Sequence, residues 1–210
     1  MIAKFVLTLI GGSLIAAPAV AAGIECAKQS SLSDHIICGD RSLRTRDAIT
    51  NDLYAAAMKT DDASTVREKQ VRWVKSLQAC ADAMCLRRTY DDQIGYLQST
   101  KGGQSVSTVF FMKESSGDEG NLAVFGPTNG LVAISLNSTH VGPGGAEAGD
   151  VNADGVAGVI ALKSGHGILA IDKCTVGFDR HGTQVWQVTQ KGTCNFADGV
   201  SLEGVYRRQP

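Results

Sequence analysis

The apolar positions in residues 40–98 recur at helical spacing and predict three helices. Asp40 is a typical N-cap for the first helix, which should run to about Lys59. The second and third helices each carry one apolar stripe, formed by Val66, Trp73, Val74 and Leu77 and by Leu86, Tyr90, Ile94 and Leu97. Because stripes this short do not stabilise an isolated helix, we expect the helices to pack against one another.

The second half of the chain has the pattern of a β-rich unit. Nineteen of the 24 glycines lie in residues 99–210, and glycine is unfavourable inside helices but common in turns. Short β-type runs separated by turn residues predict seven or eight strands, at 106–112, 122–125, 131–136, 156–162, 168–171, 175–178, 184–189 and 200–206. Strands this short and closely spaced favour an antiparallel sandwich or a small barrel.

These patterns predict an α+β protein with two domains, a helical one at 23–100 and a glycine-rich all-β one at 101–210. The boundary falls near residues 99–105, where the composition is typical of a short polar linker.

Residues 1–22 have the features of an export signal. Lys4 precedes an apolar run, and Ala19-Val20-Ala21 offers small residues for cleavage after Ala21 or Ala22. An uncleaved membrane anchor is the alternative, because the run is almost long enough to span a bilayer. The small residues at its end favour cleavage, so we expect a periplasmic or secreted protein without membrane insertion.

All six cysteines follow the export signal, and an even number in an exported chain predicts three disulfides. Cys174 and Cys194 flank the predicted strand that carries Trp186, and we expect them to pair. A loop of that size stabilises a fold by about 3 kcal/mol on the chain-entropy model.

The first four cysteines allow three connectivities. A short connection makes the first two helices antiparallel, which places Cys38 near Cys80. We therefore favour a nested pairing of Cys38 with Cys80 and of Cys26 with Cys85.

Charge excludes some classes of partner. The formal net charge is −1 and there is no lysine- or arginine-rich tract, which argues against nucleic acid or a membrane surface as the partner. Residues 99–210 carry 8 basic and 10 acidic side chains. Six of the acids form two local groups, Glu114, Asp118 and Glu119 and then Glu147, Asp150 and Asp154.

Residues 150–155 resemble the start of a calcium-binding EF-hand loop. Asp150, Asn152 and Asp154 alternate before a glycine, as oxygen ligands do in such loops. The twelfth position of the loop is Ala161 where a bidentate carboxylate is required, so a site would need another acid such as Glu147. The favoured alternative is a polar hairpin turn, and we expect no metal or other cofactor.

No catalytic motif stands out in the sequence. The histidines at 35, 140, 166 and 181 have no HExxH spacing, and there is no Gly-x-Ser-x-Gly turn. We therefore expect a protein that is not an enzyme.

The helical half resembles the LprI-type lysozyme-inhibitor domain. The residues that carry the resemblance are Cys26, Asp34, Ile37, Cys38, Leu43, Asp47, Tyr54, Gln70, Trp73, Cys80, Cys85, Leu86, Tyr90, Ile94 and Leu97. The family usually has an arginine four residues after the tryptophan, where this chain has Leu77. The segment from Cys174 through Gly192-Thr193-Cys194 to Arg207 is similar to a β domain often found behind such helical domains.

This resemblance implies a bacterial exported protein, some of whose relatives inhibit lysozyme. The leading hypothesis is an inhibitor that binds lysozyme and blocks its active-site cleft. Some periplasmic inhibitors of animal-type lysozyme occupy that cleft with serine- and lysine-containing loops, which makes Ser164, His166 and Lys191 candidate inhibitory residues. The favoured alternative is that they belong to two ordinary turns. The alternative function is an envelope-binding module for another protein or a wall component, with or without a structural calcium ion.

Overall fold

The computed structural model describes residues 23–113 and 118–209, and the predicted export signal lies outside them. Five helices precede an eight-stranded antiparallel sheet, which confirms the α+β prediction. The helices are α1 Leu32–Gly39, α2 Arg41–Thr60, α3 Ala63–Gln78, α4 Ala83–Ser99 and α5 Lys101–Val106. The three predicted helices correspond to α2, α3 and α4, whereas α1 and α5 are additional.

The predicted cap of α2 is confirmed. The Asp40 carboxylate accepts hydrogen bonds from the backbone N–H groups of Ser42 and Leu43, at 2.7 and 3.1 Å. Helix α1 begins with a capping box in which Ser31 and Asp34 satisfy each other's backbone N–H groups. Eight residues give too little periodicity to identify α1 from its apolar positions.

Residues 101–106 form a helix instead of the predicted linker. The Asp61 carboxylate at the end of α2 accepts hydrogen bonds from the N–H groups of Lys101 and Gly102. Gly102 is buried, and a Cβ atom there would lie 2.3 Å from the carbonyl oxygen of Ala56. Glycine therefore serves close packing of α5 on α2 and not chain flexibility.

The nested disulfide pairing is wrong, because the first four cysteines pair locally. Cys26 bonds to Cys38 and Cys80 bonds to Cys85, each with a Cα–Cα distance of 5.5 Å. Helix α1 carries Cys38 on its last turn, within reach of Cys26, and Cys80 and Cys85 close the short turn between α3 and α4. The predicted bond between Cys174 and Cys194 is confirmed.

The eight strands form a nearly closed, barrel-like sheet. They are β1 Thr108–Lys113, β2 Glu119–Thr128, β3 Leu131–Val141, β4 Val151–Ala161, β5 His166–Ile171, β6 Cys174–His181, β7 Val185–Gly192 and β8 Gly204–Arg208. Their order is β4-β3-β2-β1-β8-β7-β6-β5, with every neighbouring pair antiparallel. The two edge strands, β4 and β5, are consecutive in the chain and joined by a tight turn. A bridge between Lys163 and His166 begins to close the barrel there.

The inward-facing side chains form the main core. Phe178, Trp186 and Tyr206 are fully or almost fully buried inside the barrel, and the ring of Trp186 meets Phe110 edge-on at a centroid distance of 6.2 Å. Because side chains fill the interior, the surfaces available for binding lie outside the barrel and at its ends.

Helices α2 and α4 cover part of the outer face of strands β2–β4. Ile94 and Leu97 of α4 belong to a buried cluster with Ala133 and Val159 of the sheet. The guanidinium of Arg46 donates to Asp91 at 2.7 Å and to the carbonyl oxygen of Val159 at 3.2 Å. Burial raises the pKa of Asp91, and its hydrogen bonds and charge interaction with Arg46 oppose that rise. The helical layer and the barrel therefore share one interface.

Three disulfides are typical of proteins from an oxidising compartment outside the cytoplasm. Within the described residues, every helix is too short or too polar to cross a bilayer.

Candidate functional site

The residues that carry the family resemblance form the framework of the helical layer. The Trp73 indole N–H donates to the carbonyl oxygen of Thr89, and its ring packs edge-on against Tyr90 at 5.3 Å between centroids. The hydroxyl of Tyr90 and the backbone N–H of Ile24 both donate to the Asp47 carboxylate at 3.0 Å. Burial raises the pKa of Asp47, and these hydrogen bonds oppose that rise. These side chains hold the helices together.

Residues 151–155 lie in strand β4, and Asp150 directly precedes it, where the sequence predicted a loop or hairpin turn. Residues 151–155 pair in register with β3, from Val151 opposite Val141 to Gly155 opposite Asn137. Alternate residues of a strand share one face, so Asn152 and Asp154 lie along an extended segment. They do not wrap around a central point with Asp150 as EF-hand ligands do.

The same three polar side chains bind backbone groups. Asp150 accepts from the N–H of Gly144 at 2.8 Å and Asp154 from that of Ala197 at 2.9 Å. Asn152 donates to the carbonyl oxygen of Asp198 at 2.9 Å. They thereby fix two loops at the end of the barrel. Among the described residues, no cluster of three or more His, Cys, Asp or Glu side chains is arranged to hold a metal ion.

The candidate inhibitory residues lie at opposite ends of the barrel. Ser164 occupies the tight turn between β4 and β5, and His166 begins β5 opposite Asp179. Lys191 pairs with Thr175, at the other end of β6. Thr175 and Asp179, the two pairing positions on β6, are four residues apart, which is about 13 Å along the strand. The structure therefore does not bring Ser164 and His166 together with Lys191.

Two histidines form pairs with carboxylates. His166 Nδ1 lies 2.7 Å from Asp179 Oδ1, and His140 Nδ1 lies 3.1 Å from Asp118 Oδ1. Within residues 23–113 and 118–209, no serine hydroxyl is hydrogen-bonded to either ring. The pairs thus provide two parts of a hydrolytic triad without the nucleophile.

Carboxylates are concentrated at one end of the barrel. We call residues 113, 118–119, 141–154, 171–174 and 190–204 the acidic end, since the strand pairing places these segments together. Their described residues carry eight carboxylates against three lysines. The carboxylates are Asp118, Glu119, Glu147, Asp150, Asp154, Asp172, Asp198 and Glu203, and the lysines are Lys113, Lys173 and Lys191. Glu114, which the sequence groups with Asp118 and Glu119, lies outside the described residues.

The acidic end has a fixed backbone. The Gln190 side chain accepts hydrogen bonds from the N–H groups of Leu202 and Glu203, and the Gln190 N–H donates to the Glu203 carboxylate. The Cys174–Cys194 disulfide ties the connection after β7 to β6. Lys191 is exposed in the middle of this fixed region.

An uncharged groove lies on the outer face of the sheet, between β1–β3 and the end of α4 with α5. Two cross-strand rows form its floor, Phe111, Asn121 and Asn137 in one and Val109, Ala123 and Ser135 in the other. Gln98, Ser99 and Gln104 form the helical wall. Its volume is about 290 Å³, and the small side chains of Ala123 and Ser135 leave that space open. We call it the amide groove.

The comparisons with known proteins identify no relative. No family model, curated protein or solved structure matches the chain. Sequence reasoning missed both the acidic end as a unit and the amide groove. Strand β1 carries four consecutive apolar residues, 109–112, so its sequence does not show that Phe111 faces outward. Only strand pairing and helix packing define the two surfaces.

Proposed function

We propose that the chain is an exported, non-enzymatic inhibitor of lysozyme, periplasmic or secreted, that binds the enzyme through the acidic end of its barrel. The observation that carries the proposal is the excess of carboxylates at that end. The resemblance of the helical half to LprI-type inhibitors and the three disulfides support it.

The charge distribution suits a basic enzyme. Animal-type lysozymes are basic, and opposite charges on two surfaces raise the rate of encounter and orient the partners. The opposite end of the barrel has the other sign of charge, with Lys163 and Arg180 against Asp179. A basic partner is therefore attracted to one end of this molecule although the net charge of the whole chain is only −1.

Lys191 is the residue we propose for the contact that blocks the cleft. It is exposed at the acidic end, and a lysine can pair with a catalytic carboxylate of a glycosidase. The backbone around it is already held by Gln190, Glu203 and the Cys174–Cys194 bond, so little ordering entropy is lost on binding. Ser164 and His166 lie at the other end of the barrel and take no part in this contact.

The test is a cell-wall turbidity assay of lysozyme with the full, oxidised chain. We expect Lys191→Ala to weaken inhibition about 100-fold, as removing a central charged anchor of an interface does. Lys163→Ala is the matched control, a lysine-to-alanine change at the opposite end, and should inhibit as the unmodified chain does. Equal inhibition by the Lys191→Ala protein would remove Lys191 from the mechanism.

A second candidate function is binding of a wall component or another envelope molecule. The observation that favours it is the amide groove, a concavity whose lining side chains are uncharged among the described residues. A structural calcium ion in residues 150–155 is not part of either proposal, because residues 151–155 lie in a strand and the three candidate ligands bind backbone groups instead.

A further inference from the structure

The amide groove contains neutral polar side chains that the protein itself does not use. Among the described residues, the side chains of Asn121, Asn137, Ser135 and Gln104 make no hydrogen bond to another residue. Protein surfaces often carry single side chains of this kind, but here four converge on one concavity. Each amide offers two donors and one acceptor, and the serine offers one donor and an acceptor.

A fifth polar group, at the helical wall of the groove, is buried. Gln98 is 1% exposed, and its Nε2 atom donates to the carbonyl oxygen of Ala133 over 3.4 Å. Its Oε1 atom is buried without a hydrogen-bond partner in the described structure. A buried acceptor left in this state costs about 1–3 kcal/mol of stability. A buried polar atom without a partner calls for an explanation, and a bound ligand or water supplies one.

Phe111 supplies an apolar platform beside these groups. Its side chain is 42% exposed, in the same cross-strand row as Asn121 and Asn137. An exposed aromatic face next to neutral donors and acceptors matches a ring that has apolar C–H faces and hydroxyls at its edge.

We infer that the amide groove binds a neutral carbohydrate, with one sugar ring over Phe111 and its hydroxyls on the surrounding amides. Among the described residues, no charged side chain lines the groove, which disfavours phosphates, carboxylates and nucleotides. Strands β1–β3 have neighbours on both sides, so no free strand edge is available here to an extended peptide.

The groove has room for more than one ring. A second cavity of about 580 Å³ shares Phe111, Asn121 and Asn137 with it and extends toward Lys113 and Glu119. A chain of two or three sugars would therefore run along the outer face of the sheet toward the acidic end. This inference gives the second candidate function its ligand and does not depend on lysozyme inhibition.

The experiment is NMR titration of the full, oxidised, ¹⁵N-labelled chain with chitotetraose, cellotetraose and maltotetraose up to about 10 mM. We expect saturable shifts at groove residues with at least one of the three sugars. Phe111→Ala and Ser135→Leu, which remove the platform and fill the floor, should each weaken binding about tenfold. Ile168→Ala changes an apolar side chain that is 54% exposed on β5, outside the groove, and should bind normally.

Two results would overturn the inference. One is the absence of saturable binding by all three sugars, and the other is unchanged affinity in the Phe111→Ala and Ser135→Leu proteins. Tetraglycine is titrated in parallel. If this neutral peptide binds more tightly than the sugars, the ligand class is a peptide and not a carbohydrate. Lysozyme inhibition by the Phe111→Ala protein reports on the acidic end alone, so the two proposals can fail separately.

Discussion

The acidic end and the amide groove are neighbouring surfaces that use polar side chains in opposite ways. At the acidic end, Asp118, Asp150 and Asp154 accept hydrogen bonds from backbone N–H groups and fix loops. In the groove, Asn121 and Asn137 have no such partners. A carboxylate that is already hydrogen-bonded still attracts a distant cation, whereas a neutral amide acts only on a ligand in contact with it. One surface therefore suits long-range attraction and the other suits direct recognition.

The largest expected effect comes from reversing charge at the acidic end. Glu147 and Asp198 are exposed, so Glu147→Lys/Asp198→Lys should slow association with lysozyme about 10- to 100-fold at low salt. The effect should shrink steeply between about 20 and 500 mM salt because ions screen exposed charges. Stopped-flow or surface plasmon resonance measures both quantities.

A matched double variant tests whether the position of the reversed charges or the net charge of the whole chain slows association. Glu68→Lys/Asp92→Lys changes the net charge of the chain equally, but the two exposed acids belong to the helical layer. It should change the association rate much less. Equal slowing by both double variants would mean that net charge matters and that the acidic end is not the docking surface.

A smaller effect is expected from removing a carboxylate that fixes a loop. Asp154→Ala leaves the N–H of Ala197 without its acceptor and should lower the free energy of unfolding by about 1–3 kcal/mol. Asp198→Ala is the control at the same end of the barrel, since its exposed side chain makes no contact of this kind, and should stay within about 0.5 kcal/mol. Urea denaturation of the oxidised proteins measures the difference, and equal stabilities would show that Asp154 is not needed for the loop.

The smallest expected effect is in the groove, where a substitution should raise the free energy of unfolding instead of lowering it. Gln98→Leu removes a buried acceptor that has no partner and keeps the side-chain volume, so it should raise the free energy of unfolding by about 1 kcal/mol. The same change should weaken carbohydrate binding in the NMR titration. A less stable protein would mean that the Gln98 amide serves the fold and not a ligand.

The sequence predicted the elements of this fold better than their connections. Asp40 could be predicted as a cap because a side-chain cap binds N–H groups within three residues of itself. The Cys174–Cys194 bond could be predicted because the two cysteines flank a single strand. The pairing of the first four cysteines failed because it depended on helix α1, which has too few residues for a recognisable period. Residues 150–155 were read as a loop because their alternating oxygens fit a calcium loop as well as one face of a strand.

The binding surfaces could not be predicted for a related reason. Phe111, Asn121 and Asn137 are separated by at least ten residues, and only the register of three strands places them in one row. The groove also requires α4 and α5 to cover part of the sheet, which depends on packing between residues far apart in sequence. The acidic clusters were visible in the sequence, but their convergence at one end follows from an entirely antiparallel order of strands.

The most direct measurement is the titration of the full, oxidised chain into a fixed concentration of an animal-type lysozyme, with lytic activity followed by turbidity. Inhibition that rises linearly and ends at one equivalent of the chain is the expected result, and 500 mM salt should weaken it. Full lytic activity at micromolar concentrations of the chain, with animal-type and other lysozymes alike, would contradict the proposed function.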